Sequence, residues 1–209
     1  MIEFDELKSE KDAKKALKRN PLLILEYINI GMFFSLKNKP ELSEKYLNAG
    51  LFISEKLLDI YDYLYRKKIY DAKHRIKEIG RIILGFYYEL GISYLRQKKY
   101  EWVRKIIKIL KKFYPKYAET YFLAGQYSEA IGKIKKATKE LTNALKLCKN
   151  RYDVCFNLCQ TLIPLYIKEK NYKKAKEIYD FIVEKYPDNT DYFEYYKKVL
   201  KKHIKETKK

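Results

Sequence analysis

Apolar residues recur along this chain at helical spacing, and short polar turns interrupt them at regular distances. Tyr87, Leu90, Gly91 and Tyr94 mark one face of a helix. Val103, Ile107 and Leu110 mark the face of a second, and Pro115 closes it, since proline lacks an N–H and restricts the residue before it. Thirty-four residues after Gly91, the same slots are filled by Tyr121, Ala124, Gly125 and Ser128, then by Ala137, Leu141 and Ala144. A third pass gives Cys159, Leu162, Ile163 and Tyr166, then Ala175, Tyr179, Ile182 and Pro187. Lys99-Tyr100-Glu101, Lys133-Ile134-Lys135 and Asn171-Tyr172-Lys173 hold one turn position between the two helices of each pass. The spacing from Pro115 to Pro187 is four residues more than two periods, which predicts a short insertion near Asn150–Asp153.

This register resembles the tetratricopeptide repeat (TPR), whose signature is W-x2-L-G-x2-Y, then A-x3-F, then P on a period of 34. The resemblance implies two antiparallel helices per unit, neither able to bury its apolar stripe alone. It predicts an all-α, right-handed α-solenoid of antiparallel helix pairs, a TPR-like superhelix with capping helices at both ends. The Gly91/Gly125 slot is read as the closest approach of the two helices, facing the Val103/Ala137/Ala175 slot. Ile163 in the glycine slot predicts a wider third crossing.

Repeats are placed at 84–117, 118–151 and 156–189. A divergent one at 24–57 keeps Tyr27, Ile30, Gly31 and Phe34, then Ser43, Leu47 and Gly50; Asn20-Pro21 and Pro40 open its helices. Residues 58–83 break the register and read as two lengthened helices meeting near Arg66–Lys68, or as one degenerate hairpin. An N-terminal capping helix is placed at 1–19, with Phe4, Leu7, Ala13 and Leu17 on its apolar side. A C-terminal capping helix and basic tail occupy 190–209, with Tyr192, Tyr195, Tyr196, Val199 and Leu200 facing in. The whole, 1–209, is read as a single solenoid domain.

Composition narrows the function classes. The acidic start Met1–Glu6 is unlike a signal peptide, and the most apolar run, Leu22–Leu36, is too short and polar to span a bilayer, so the expected location is cytoplasmic. Cys155 and Cys159 have a spacing that suits two metal ligands, but His74 and His203 are remote in sequence, and no metal or cofactor is expected. Three buried thiols are the preferred reading of Cys148, Cys155 and Cys159; a Cys148–Cys155 disulfide is the other. No catalytic motif is found, and the chain is expected not to be an enzyme. Abundant Lys and Tyr with little Gln and Met hint at a thermophile.

Net charge is +19 and unevenly placed. Residues 84–117 hold nine Lys and Arg against two Asp and Glu, whereas 20–57 and 152–189 balance. Arg104, Lys105, Lys108, Lys111 and Lys112 follow helical spacing, and Lys133, Lys135, Lys136 and Lys139 begin another helix. In the family resembled, second helices share the convex surface, so the two sets are a candidate basic patch for phosphates read without sequence preference. A solvated face in a lysine-rich protein is the competing reading.

First helices in that family line a concave peptide groove. Carried over by slot, the groove residues here are Leu25, Ile28, Met32, Tyr88, Ile92 and Leu95, then Phe122, Gln126 and Glu129, then Asn157, Gln160 and Ile167. Chaperone-binding members hold terminal carboxylates with Lys, Asn and Arg at such slots. Ile28, Met32, Tyr88, Phe122 and Gln126 carry none of that chemistry, so no carboxylate clamp is expected. Pro164, inside a first helix, predicts a kink or a tolerated defect. The expected function is a non-catalytic interaction scaffold holding a protein or peptide; the alternative is nucleic-acid association through the basic patch. Self-association through the apolar N-terminal slots is a third expectation.

Overall fold

The computed structural model describes Ser9, Lys11, Leu17 and residues 24–69, 71–148, 152–187 and 193–206. The rest of the expected capping helix at 1–19, the Asn20-Pro21 start and residues 150–151 of the Asn150–Asp153 insertion lie outside the described residues. Contacts divide the chain into two compact units, Met1–Phe113 and Tyr114–Lys209.

The first unit contains α1 (Ile24–Leu36), α2 (Pro40–Arg66), α3 (Lys73–Arg96) and α4 (Tyr100–Phe113). Each packs on the next, and α1 also touches α3. The register-breaking residues 58–83 are the far end of α2 and the start of α3, which are 27 and 24 residues long. Pro40 sits in the first turn of α2, where its missing N–H has no helical partner to lose. The core is built from Ile30, Phe34, Leu47, Phe86, Leu90, Val103 and Leu110, all essentially inaccessible.

The second unit contains α5 (Ala118–Ala130), α6 (Ile134–Leu147), α7 (Tyr152–Lys168), α8 (Tyr172–Lys185) and α9 (Glu194–Glu206), again packed in sequence order. Leu123, Leu141, Leu158, Leu162, Ile163, Ile182 and Phe193 fill its core. The described part of α9 corrects the sequence reading. Tyr195 is 71% exposed, while Phe193, which had been given no inward role, is buried against Phe156 at a ring distance of 5.3 Å. Phe193 and Leu200 are thus buried, Tyr196 and Val199 half-buried as expected, and Tyr192 lies outside the described residues.

The glycine slot is tight, and its partner differs from the expectation. A Cβ on Gly31 would lie 2.4 Å from Leu47 Cγ, and one on Gly125 would lie 2.4 Å from Leu141 Cγ. The glycine thus accepts the large residue four positions beyond the small slot. The small slot itself brings backbone close, with the Ala137 carbonyl oxygen 3.4 Å from the same added atom.

One turn solution recurs at five helix ends. α1, α2, α3, α5 and α7 each end on a residue with positive φ: Asn38, Lys68, Lys98, Gly132 and Lys170. Within the hairpins the next residue's N–H bonds a carbonyl five back, as Lys39 to Phe34, Lys99 to Tyr94, Lys133 to Ser128 and Asn171 to Tyr166. This satisfies carbonyls that the last helical turn leaves without partners. The shared cap gives the hairpins a common backbone turn.

Cys148 and Cys155 form a disulfide with a Cα–Cα distance of 5.6 Å, which corrects the reading of three thiols. It joins the end of α6 to the first turns of α7 and removes Cys155 as a metal ligand. Cys159 remains a buried thiol, pushed up to about 12 by burial, so it is held in its neutral, unreactive form.

Candidate functional site

Two surfaces carry the residues singled out from the sequence. On the first, α1 and α3 lie side by side within the first unit. Ile28 Cδ1 sits 3.4 Å from where Gly85 would bear a Cβ, and Arg96 donates a 2.6 Å hydrogen bond to Ser35 Oγ. Leu25 is exposed, and Ile28, Met32, Tyr88, Ile92 and Leu95 are half-buried, so these two helices present an apolar strip with solvent access. Beside Ile92, one turn earlier, stands Glu89. Burial raises its carboxyl to about 7, against the opposing pull of Arg96.

The second-unit slots behave differently. Phe122 is buried and serves packing, whereas Gln126, Gln160 and Ile167 are half-buried and Glu129 and Asn157 exposed. The Gln126 amide oxygen is enclosed with no hydrogen-bond partner among the described residues. α7 continues through Pro164, which is exposed.

The basic residues also differ in their surroundings. On α4, Arg104, Lys105, Lys108, Lys111 and Lys112 are all exposed. Arg104 is paired with Glu101 at 2.7 Å, Lys105 lies over the Trp102 ring at 4.3 Å, and Lys112 lies over Phe113 at 4.9 Å. In the second unit Lys133 precedes α6, and Lys135, Lys136 and Lys139 are exposed on it. Lys135 and Lys139, unlike Lys133 and Lys136, line a cleft of about 570 Å³ together with Lys146 of α6 and Lys174 of α8. Sequence reading grouped the lysines by helix. The cleft was invisible to it because Lys146 and Lys174 join the site only through packing of α6 against the α7–α8 corner.

The helix pairs, the tight glycine slot and the repeated caps define an all-α fold of the TPR solenoid class. Similar solved structures agree. TTC0263, described as a thermophilic TPR protein of Thermus thermophilus, matches with a TM-score of 0.58 and 21% identity over 91% of this chain and 88% of that one. The assembly chaperone of RpL4 (residues 1–338) matches with a TM-score of 0.61 and 10% identity, over 95% and 90%. PilF of Pseudomonas aeruginosa matches at 0.53 and 18%, over 84% and 67%. At these identities the likeness shows the fold alone. No family model matches the sequence, and no curated protein does. No helix among the described residues is long and apolar enough to cross a membrane.

Proposed function

We propose that this chain is a non-catalytic scaffold that seats an apolar or amphipathic segment of another protein on the first helices of its first unit. The observation that carries this reading is the strip of Leu25, Ile28, Met32, Tyr88, Ile92 and Leu95, which α1 and α3 present side by side with solvent access. A soluble protein gains little by leaving such a strip bare, and adjoining apolar residues on parallel faces suit a helix or extended segment laid along them. The chaperone of RpL4, described as an assembly chaperone, is a precedent for this fold holding a partner.

The nucleic-acid alternative is less favoured on α4, where Arg104 is already paired with Glu101. A cytoplasmic setting remains part of the proposal. The Cys148–Cys155 bond is compatible with it in the kind of organism the composition hints at, since intracellular disulfides are a feature of hyperthermophiles.

The test is affinity purification from the native host, with and without nuclease, using the wild type and Met32→Glu/Ile92→Glu. A nuclease-resistant protein partner that the double variant loses supports the reading. A nuclease-sensitive partner retained by the double variant refutes it, as does recovery of a second copy of the chain alone.

A further inference from the structure

The second unit holds a cleft that the peptide-scaffold reading does not use. Lys135, Lys139 and Lys146 stand on one face of α6, spanning about 16 Å at 1.5 Å per residue, and Lys174 faces them from the first turn of α8. Glu169 is the one acidic residue in the lining. It makes no ion pair with any of the four lysines, and no other acidic side chain among the described residues pairs with them. On the cleft wall the hydroxyls of Thr142 and Tyr166 share a 2.7 Å hydrogen bond, and Lys174 Nζ lies 5.6 Å from the centre of the Tyr166 ring.

The first unit contains the same junction as an internal control. By repeat slot, Tyr94 corresponds to Tyr166, Glu44 to Thr138, Glu41 to Lys135 and Lys45 to Lys139. There the tyrosine hydroxyl donates to the Glu44 carboxylate at 2.9 Å, and Lys99 Nζ pairs with the other oxygen at 3.2 Å. The junction in the first unit thus supplies its own anion. In the second unit the carboxylate is replaced by a threonine hydroxyl turned to the Ile134 and Lys135 carbonyls, and a second acid is replaced by a lysine. The position that holds negative charge in one unit is left to an outside anion in the other.

We propose that this cleft binds a small ligand carrying a condensed chain of phosphates. Four lysines lining one concavity against a single glutamate call for more than one negative charge. The lining has no arginine, so it lacks a planar fork for bidentate recognition, and its lysines act as point charges of the kind that bind phosphate. The positive end of α8, beside Lys174, adds to the same field. A cleft of about 570 Å³ suits a compact ligand better than a polymer, which would need a continuing track of charge.

Inorganic tripolyphosphate is the probe, with calorimetric titration of the full chain at about 0.15 M salt, where exposed charges are screened beyond about 8 Å. One site per chain is expected. Lys139→Gln/Lys174→Gln lowers affinity at least about tenfold, equivalent to about 1.4 kcal/mol. Lys108→Gln/Lys136→Gln removes the same charge outside the cleft and leaves affinity within about twofold. Thr138→Glu restores the acid found in the first unit and abolishes binding; circular dichroism checks that both cleft variants fold. Four results overturn the proposal: no saturable binding, equal loss in both double variants, tighter binding of a poly-Glu peptide, or tighter binding of a single-stranded RNA.

Discussion

The hydroxyl of Tyr94 on α3 donates a 2.9 Å hydrogen bond to the carboxylate of Glu44 on α2, fifty residues earlier in the chain. Lys99, just past the end of α3, pairs with the other carboxylate oxygen at 3.2 Å. Burial pushes the Tyr94 phenol up to about 12, helped by the Glu44 hydrogen bond. One acid therefore ties the second helix of a hairpin to the hairpin that follows. Tyr94→Phe is expected to destabilise the protein by about 1 kcal/mol, the net worth of a partly buried hydrogen bond to a charged group less its screening. A double-mutant cycle with Glu44→Ala in urea checks it. Strict additivity of the two changes would mean that the bond contributes nothing.

Glu89 gives the protein a pH dependence of definite sign. Its carboxyl ionises near 7 in the folded chain because burial penalises the charge, and near 4.5 when unfolded. The folded state therefore holds the proton more tightly. Its contribution to stability is fully present below about pH 4.5 and is lost as pH rises through 7. Glu89→Gln should flatten the stability profile between those values and raise stability at pH 8 on the order of 2 kcal/mol, after discounting for its partial exposure. An unchanged profile in urea melts across that range would remove Glu89 as the cause.

Two glycines in helices should respond oppositely to alanine. At Gly125 the new methyl carbon would lie 2.4 Å from Leu141 Cγ and 3.4 Å from the Ala137 carbonyl oxygen, so Gly125→Ala is expected to cost about 2 kcal/mol through overpacking. At Gly80 in α3 nothing lies within 4 Å, and Gly80→Ala should stabilise by about 0.5–1 kcal/mol through helix propensity. Thermal melts that shift in the same direction for both would contradict this packing.

The left-handed caps offer a gain. Lys98 and Lys170 sit at φ of 58° and 57°, where a Cβ is unfavourable and glycine is not. Lys170→Gly should raise stability by up to about 1 kcal/mol, while Gly132→Ala, at φ of 75°, should lower it by a similar amount. Chemical denaturation of the two variants reads both signs directly.

Reduction of Cys148–Cys155 should weaken the second unit by about 2 kcal/mol, the loop-closure value for a short bridge. Melting of Cys148→Ser/Cys155→Ser against the wild type, with and without reductant, measures it. A wild type indifferent to reductant would leave the bridge without a stabilising role.

Apolar spacing without proline left 58–83 open to two lengthened helices or a degenerate hairpin, and the structure has the far end of α2 and the start of α3 there. The aromatic end of the chain was misread. Tyr195 and Phe193 are both large and aromatic, and packing of Phe193 against Phe156, which apolar spacing does not show, decides which of them turns inward. Phe122 looked like its groove-facing counterpart Tyr88 by slot, yet packing buries it while Tyr88 keeps solvent access. The expected partner of the glycine slot was displaced by four residues, since sequence shows that a slot must be small but not which side chain fills the space.

Sequence alone determined the repeated hairpin. A 34-residue recurrence of large, small and turn positions admits few structures that bury every stripe. Only the tertiary structure decided where chemistry gathers. Charge on separate helices becomes a site when packing brings it to one concavity, as with Lys139 and Lys174. The same junction is neutralised by Glu44 in one unit and left positive in the other. Helical periodicity fixes which residues share a face, but the distance between faces depends on contacts that lie tens of residues apart.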